Sequence, residues 1–103
     1  PEANFEIYYL ETIAGPKLKL LFQDTSTTVA GHVISSRTWT FYGGDVDPSS
    51  GTDEEEVVLY PAAGGTFTVK LDVRDDRGYT GTVIKSFDLA ADGTITPVND
   101  EEE

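Results

Sequence analysis

Asp75 and Asp76 are adjacent carboxylates in the stretch "DVRDDRG", and the only histidine of the chain is His32. Three kinds of chemistry could use such groups. A glycosidase sets two carboxyls on opposite sides of a bond and raises one pKa in an apolar pocket. Sequence neighbours in a turn meet neither condition, and both aspartates are expected to be wet. A Ser-His-Asp hydrolase needs its base beside the nucleophile. His32 stands in the turn-like "VAGHV", where an exposed polar role is expected. Calcium is the stronger of the three, because a hard cation takes roughly six to eight oxygens, and loop carboxylates at one end of a sandwich can supply them. Against it stands a structural reading: the two aspartates cap the turn through its own backbone amides, with Gly78 in the left-handed conformation.

Other candidates are weaker. The acidic run Asp53–Glu56 lacks the ligand alternation and the glycine of an EF-hand loop, and with Asp100–Glu103 it reads as solvated loop and tail. Gly43-Gly44 and Gly64-Gly65 read as turns needing positive φ rather than as phosphate cradles. Tyr8, Tyr9, Tyr42, Tyr60 and Tyr79 could stack on a sugar ring, but packing or rim coverage is the expected role of each.

The elements that must hold these residues are strands. Leu18, Leu20 and Phe22 alternate along "KLKLLFQD", and Phe67, Val69, Leu71 and Val73 along "TFTVKLDV"; that period of two belongs to half-buried strands. Further strands are expected at Asn4–Tyr9, Val33–Phe41, Glu56–Tyr60 and Thr80–Leu89, between segments rich in Gly, Pro, Asp and Ser. No segment carries a helical period. About six or seven short antiparallel strands imply an all-β, two-sheet sandwich, because one sheet of that size would leave an apolar face wet. Trp39 and Phe41 share a strand face and are expected at the centre of the core. Ile34, on the other parity, predicts a bulge between itself and Trp39. If Tyr8 and Tyr9 lie in a strand, they point to opposite faces. Lys17 and Lys19, on the polar side of their strand, are expected to discourage edge pairing.

The totals exclude several function classes. The 103 residues, with 38% hydrophobic and 11% aromatic content, fit one globular domain with one core. Nineteen acidic residues against seven basic ones give a formal charge of −12. That charge repels phosphate backbones and anionic lipid, so nucleic acid and membrane insertion are not expected. The absence of cysteine removes a disulfide framework and a thiolate metal site. Opening on Pro1, the chain reads as a segment of something longer.

Four stretches then come together: "NFE" at Asn4–Glu6, "LKLLFQDTST" at Leu18–Thr27, "VISSRTWTFYGG" at Val33–Gly44, and "YPAAGGTFTVKLDVRDDRGYTGTVIKSFDL" at Tyr60–Leu89. In order and spacing they resemble the PKD domain, the immunoglobulin-like module named after polycystic kidney disease proteins. Family members typically read "FTDTST", then "SWDFGDG", then "YTVTLTVTDDNG". Both acids of the central motif are missing here, where Trp39-Thr40-Phe41-Tyr42-Gly43-Gly44 stands instead. Phe67 replaces a common Tyr and keeps its apolar anchor without the hydroxyl.

The resemblance implies an immunoglobulin-like β-sandwich over residues 1–92, with 93–103 a strand end or an acidic tail. It implies a noncatalytic, extracellular or surface-exposed module serving as spacer, adhesion or interaction domain. Its partners would be a protein or carbohydrate surface and neighbouring domains or subunits. Two alternatives stand beside it: a structural subunit or decoration of a surface array, filament or virion, and an accessory carbohydrate- or protein-binding domain of a secreted hydrolase. No cofactor is required. Some family members bind calcium near the N-terminal strand and the turn between the last two strands, which points to Asn4, Asp75 and Asp76 as its ligands here.

Overall fold

Period-two alternation, repeated along the chain, closes two sheets around one apolar layer. A computed structural model describes residues 1–98. The strands are β1 (Phe5–Ile13), β2 (Lys17–Asp24), β3 (Ile34–Tyr42), β4 (Ser50–Gly51), β5 (Glu55–Pro61), β6 (Gly65–Asp75), β7 (Thr80–Leu89) and β8 (Ile95–Val98). They form an antiparallel sheet in the order β1-β2-β5 and a second in the order β4-β3-β6-β7-β8. The result is an all-β, two-sheet antiparallel sandwich.

The expected six or seven strands become eight. The two additions are short: β4 lies inside the long acidic loop between β3 and β5, and β8 pairs with Ser86–Leu89 of β7. The sheet therefore continues past residue 92, while the acidic run at Asp100–Glu103 lies outside the described residues. The long loop is also better anchored than its composition implies. Val46 is buried in it, Asp47 bridges to Leu59, and Asp53 offers its carbonyl to Trp39 Nε1 at 2.8 Å. Glu56 turns back to accept the Asp53 amide at 2.9 Å.

The inward faces supply Leu18, Leu20 and Phe22 from β2, Trp39 and Phe41 from β3, Val58 and Tyr60 from β5, and Val69, Leu71 and Val73 from β6. Trp39 and Phe41 share the buried face of β3 as expected, and they stack at 5.7 Å, but the ring at the middle is Phe22. It meets Phe5, Trp39, Phe41, Tyr60 and Phe87 at centroid separations of 5.0–6.1 Å. Burying each such side chain contributes about 1.5–3 kcal/mol.

The bulge expected after Ile34 is present as a register shift between Ile34 and Ser36. A second shift, between Tyr9 and Glu11 of β1, had no signal in the alternation. The reading of Lys17 and Lys19 as edge guards is corrected. Their strand, β2, is the middle strand of its sheet, and Lys19 instead pairs across the outer face with Glu11 at 3.4 Å.

Candidate functional site

The end of the sandwich where β2, β6 and the N-terminus meet is built around one carboxylate. Asp75 closes β6, opposite Ile34 of β3, and is only 1% exposed. The expectation that it is wet is overturned. Its Oδ1 accepts the amides of Arg77 at 2.9 Å and Tyr79 at 3.1 Å. Its Oδ2 accepts the Thr28 hydroxyl at 2.9 Å, Arg77 Nε at 3.0 Å and Arg77 Nη2 at 2.5 Å. Burial on its own would push this carboxyl up. The hydrogen bonds from Arg77, Thr28 and the two amides outweigh it and hold the group well below the usual carboxylate range.

Local sequence explains this turn. Asp75 caps the amides that follow it, and Gly78, at φ +89°, takes the left-handed corner that a side chain would resist. Arg77 then folds back onto Asp75 with its guanidinium 4.6 Å from the centre of the Tyr79 ring. The link to Thr28 is the long-range part, because it fastens the β2–β3 loop, residues 25–33, to the β6–β7 turn. Asp76 adds a second link: it is exposed, its Oδ1 lies 2.9 Å from His32 Nδ1, and its amide donates to the Val33 carbonyl at 3.0 Å. Below the loop, Arg37 Nε of β3 donates to Asp24 Oδ2 of β2 at 2.6 Å, an ion pair that ties the two sheets.

Asn4 belongs to the same end but not to the same cluster. Its amide donates to Ser26 Oγ at 3.0 Å, and its Oδ1 accepts the Phe5 amide at 2.9 Å. It shares no hydrogen bond with Asp75 or Asp76 among the described residues. Tested for calcium, the three residues do not fit as a ligand set. Both Asp75 oxygens are filled and neutralised by a guanidinium, Asp76 faces His32, and the Asn4 oxygen is taken. Among the described residues no group of three or more His, Asp or Glu side chains converges to hold a metal.

The aromatic candidates are scattered. Tyr60 is fully buried, as the packing reading expects, its hydroxyl has no hydrogen-bond partner among the described residues, and burial pushes its phenol up. Tyr8 pairs with Leu21 on the outer face of the three-stranded sheet. Tyr9 points the other way, pairing with Leu20 and bonding Thr12 Oγ1 through its hydroxyl at 2.6 Å. Tyr42 ends β3 at the far end of the molecule from Tyr79.

This end exposes three apolar side chains beside its polar ones. Val29 is 53% exposed, Val33 63% and Tyr79 61%, and they flank the His32–Asp76 link. Thr28, Arg77, Asp24 and Arg37 went unnoticed in the sequence. The local signals available were the Asp-x-Arg-Gly spacing at Asp75–Gly78 and the Asx-type turn of Asp24-Thr25-Ser26, in which Asp24 Oδ1 accepts the Ser26 amide at 2.8 Å. No protein-family model matches the chain, and no curated protein or solved structure matches it.

Proposed function

We propose that the chain is a noncatalytic immunoglobulin-like module of the PKD type, working as an interaction or adhesion domain on the surface of a larger extracellular assembly. One observation carries this reading: the buried Asp75 locks the β2–β3 loop and the β6–β7 turn into one unit that displays Val29, Val33 and Tyr79 to solvent. A loop surface held in one geometry loses little conformational entropy on binding, which is how a rigid scaffold turns exposed side chains into a recognition face. The sheets supply the scaffold and the loop end supplies the contact. No metal enters this mechanism, since the carboxylate that organises the loops is neutralised from within the chain by Arg77.

The test compares the wild type with a Val29→Asp, Val33→Asp, Tyr79→Ala variant on immobilised extracellular-matrix proteins and insoluble polysaccharides. The expected outcome is retention of the wild type on one of these surfaces, lost in the variant while its melting temperature stays unchanged. Equal retention of both proteins would sink the assignment to this end. Turnover by the purified chain on a peptide or glycan panel would sink the noncatalytic reading.

A further inference from the structure

Strand β1 is the outer strand of its sheet, and its far edge has no partner strand among the described residues. Glu2 and Thr27 exchange both of their backbone bonds, and the register continues unbroken from there to Tyr9. Alternation then turns the amides and carbonyls of Phe5, Ile7 and Tyr9 toward the free edge. At Phe5 both groups are taken, the amide by Asn4 Oδ1 at 2.9 Å and the carbonyl by Lys85 Nζ at 2.7 Å. Ile7 has no such side-chain cap among the described residues.

Facing this edge is a groove of about 750 Å³ whose far wall is Ile84, Phe87, Ile95, Pro97 and Val98. Lys85 closes one end, lying 4.8 Å from the centre of the Phe5 ring. Further along β1, Tyr9 packs on Gly93 so tightly that a Cβ there would stand 2.7 Å from the ring.

We propose that this groove takes a short extended segment of a partner protein, added to β1 as a strand, whose residues alternate apolar and basic. The strand supplies the backbone groups that Ile7 and Tyr9 leave open. Its inward side chains meet Ile7, Ile95 and Pro97, so they are apolar. Its outward side chains lie beside Glu6, Tyr8 and Glu11 on the outer face of the sheet, so they are basic. Glu6 has no ion pair among the described residues, and the chain as a whole carries −12. A second copy of the chain would bring its own Glu6 and Glu11 to the same edge and is disfavoured by like charge. From Phe5 to Tyr9 the edge runs roughly 13 Å at the usual rise per residue, which fits a segment of about five residues. This surface lies apart from the loop end, and either can fail without the other.

The experiment titrates the ¹⁵N-labelled full chain with the capped peptide Lys-Val-Lys-Val-Lys-Val-Lys. The expected result is saturable movement of the Ile7, Ile84 and Val98 amide resonances, with affinity falling at least about tenfold between about 20 and about 200 mM salt. A peptide with Glu in place of Lys, or one N-methylated on alternate residues, is expected not to bind. Glu6→Lys, at an exposed position on the same edge, is expected to weaken binding about tenfold with an unchanged melting temperature. If that variant melts lower, Glu6→Gln is read in its place, with a weakening in the same direction. Equal binding of the N-methylated or the Glu peptide, resonance changes confined to other surfaces, or a dimer through β1 that excludes the peptide would each overturn the proposal.

Discussion

Five donors converge on the Asp75 carboxylate, and no other side chain in the described chain is so heavily committed. Substitution should therefore separate it sharply from its neighbour. Asp75→Ala is expected to lower the melting temperature far more than Asp76→Ala, because only the first strips a buried anchor from Thr28 and two turn amides. The same site sets a pH dependence with a definite sign. Its folded carboxyl is depressed below the unfolded value, so its stabilisation is complete above the ordinary carboxylate pKa and is lost as pH falls through the folded one. The gap in melting temperature between wild type and Asp75→Asn should hold from about pH 7 to about pH 5 and shrink steadily toward about pH 2. A gap that widens in acid would contradict this. Tyr60 makes the opposite case, a hydroxyl buried among Phe22, Phe67 and Phe87 with no hydrogen-bond partner among the described residues. Removing an unsatisfied group relieves a desolvation penalty, so Tyr60→Phe is expected to be neutral or stabilising by up to about 1–2 kcal/mol in chemical denaturation. A loss of stability would mean that the hydroxyl is satisfied.

Among the elements, turns separate backbone effects from packing. Gly78 has φ +89° and open space where a Cβ would go, whereas Gly43 has φ +145° and Val46 Cγ2 only 2.5 Å from that point. Gly78→Ala should cost about 1–2 kcal/mol, the left-handed penalty alone, and Gly43→Ala clearly more, because buried Val46 must also move. Denaturant midpoints of the two variants check the order. The same elements show what a single sequence can carry. The alternation along β2 and β6 was legible because one face of each strand is fully apolar, and the extra residue after Ile34 betrayed its bulge by switching parity. Strand β4 was not legible, and β8 only as one of two readings of residues 93–103: two and four residues are too few to alternate, and Pro97 inside β8 reads as a breaker unless its edge position is known. Asp75 read as wet for a related reason. Arg77 lies two residues away and could be seen, but Thr28 lies forty-seven away, and only the packing of the β2–β3 loop onto the turn buries the carboxylate between them. Tyr60 and the other tyrosines looked alike in sequence, and only strand register separates the buried one from the exposed ones.

Over the whole molecule the dominant field is self-repulsion from the formal charge of −12. Among the described residues, Lys and Arg side chains neutralise only a few of the acids: Asp24 by Arg37, Asp75 by Arg77, Glu11 by Lys19 and Asp72 by Lys70. The remainder repel across a particle of 44 × 32 × 20 Å, distances over which monovalent salt screens effectively. Salt should therefore raise the melting temperature by a general route, and any cation will share in it. A calcium site would behave differently, since a ligand at a hundred times its dissociation constant adds about 2.7 kcal/mol on top of screening. The hub carboxylate already holds a guanidinium and four further hydrogen bonds from hydroxyl, guanidinium and amide groups, and opening it to a cation would release the β2–β3 loop. Melting in calcium chloride, compared with sodium chloride at matched ionic strength and with chelator, is thus expected to show the salt effect alone. A calcium-specific rise of several degrees that disappears in Asp75→Asn would restore Asp75 as a metal ligand and require Arg77 to swing out toward solvent.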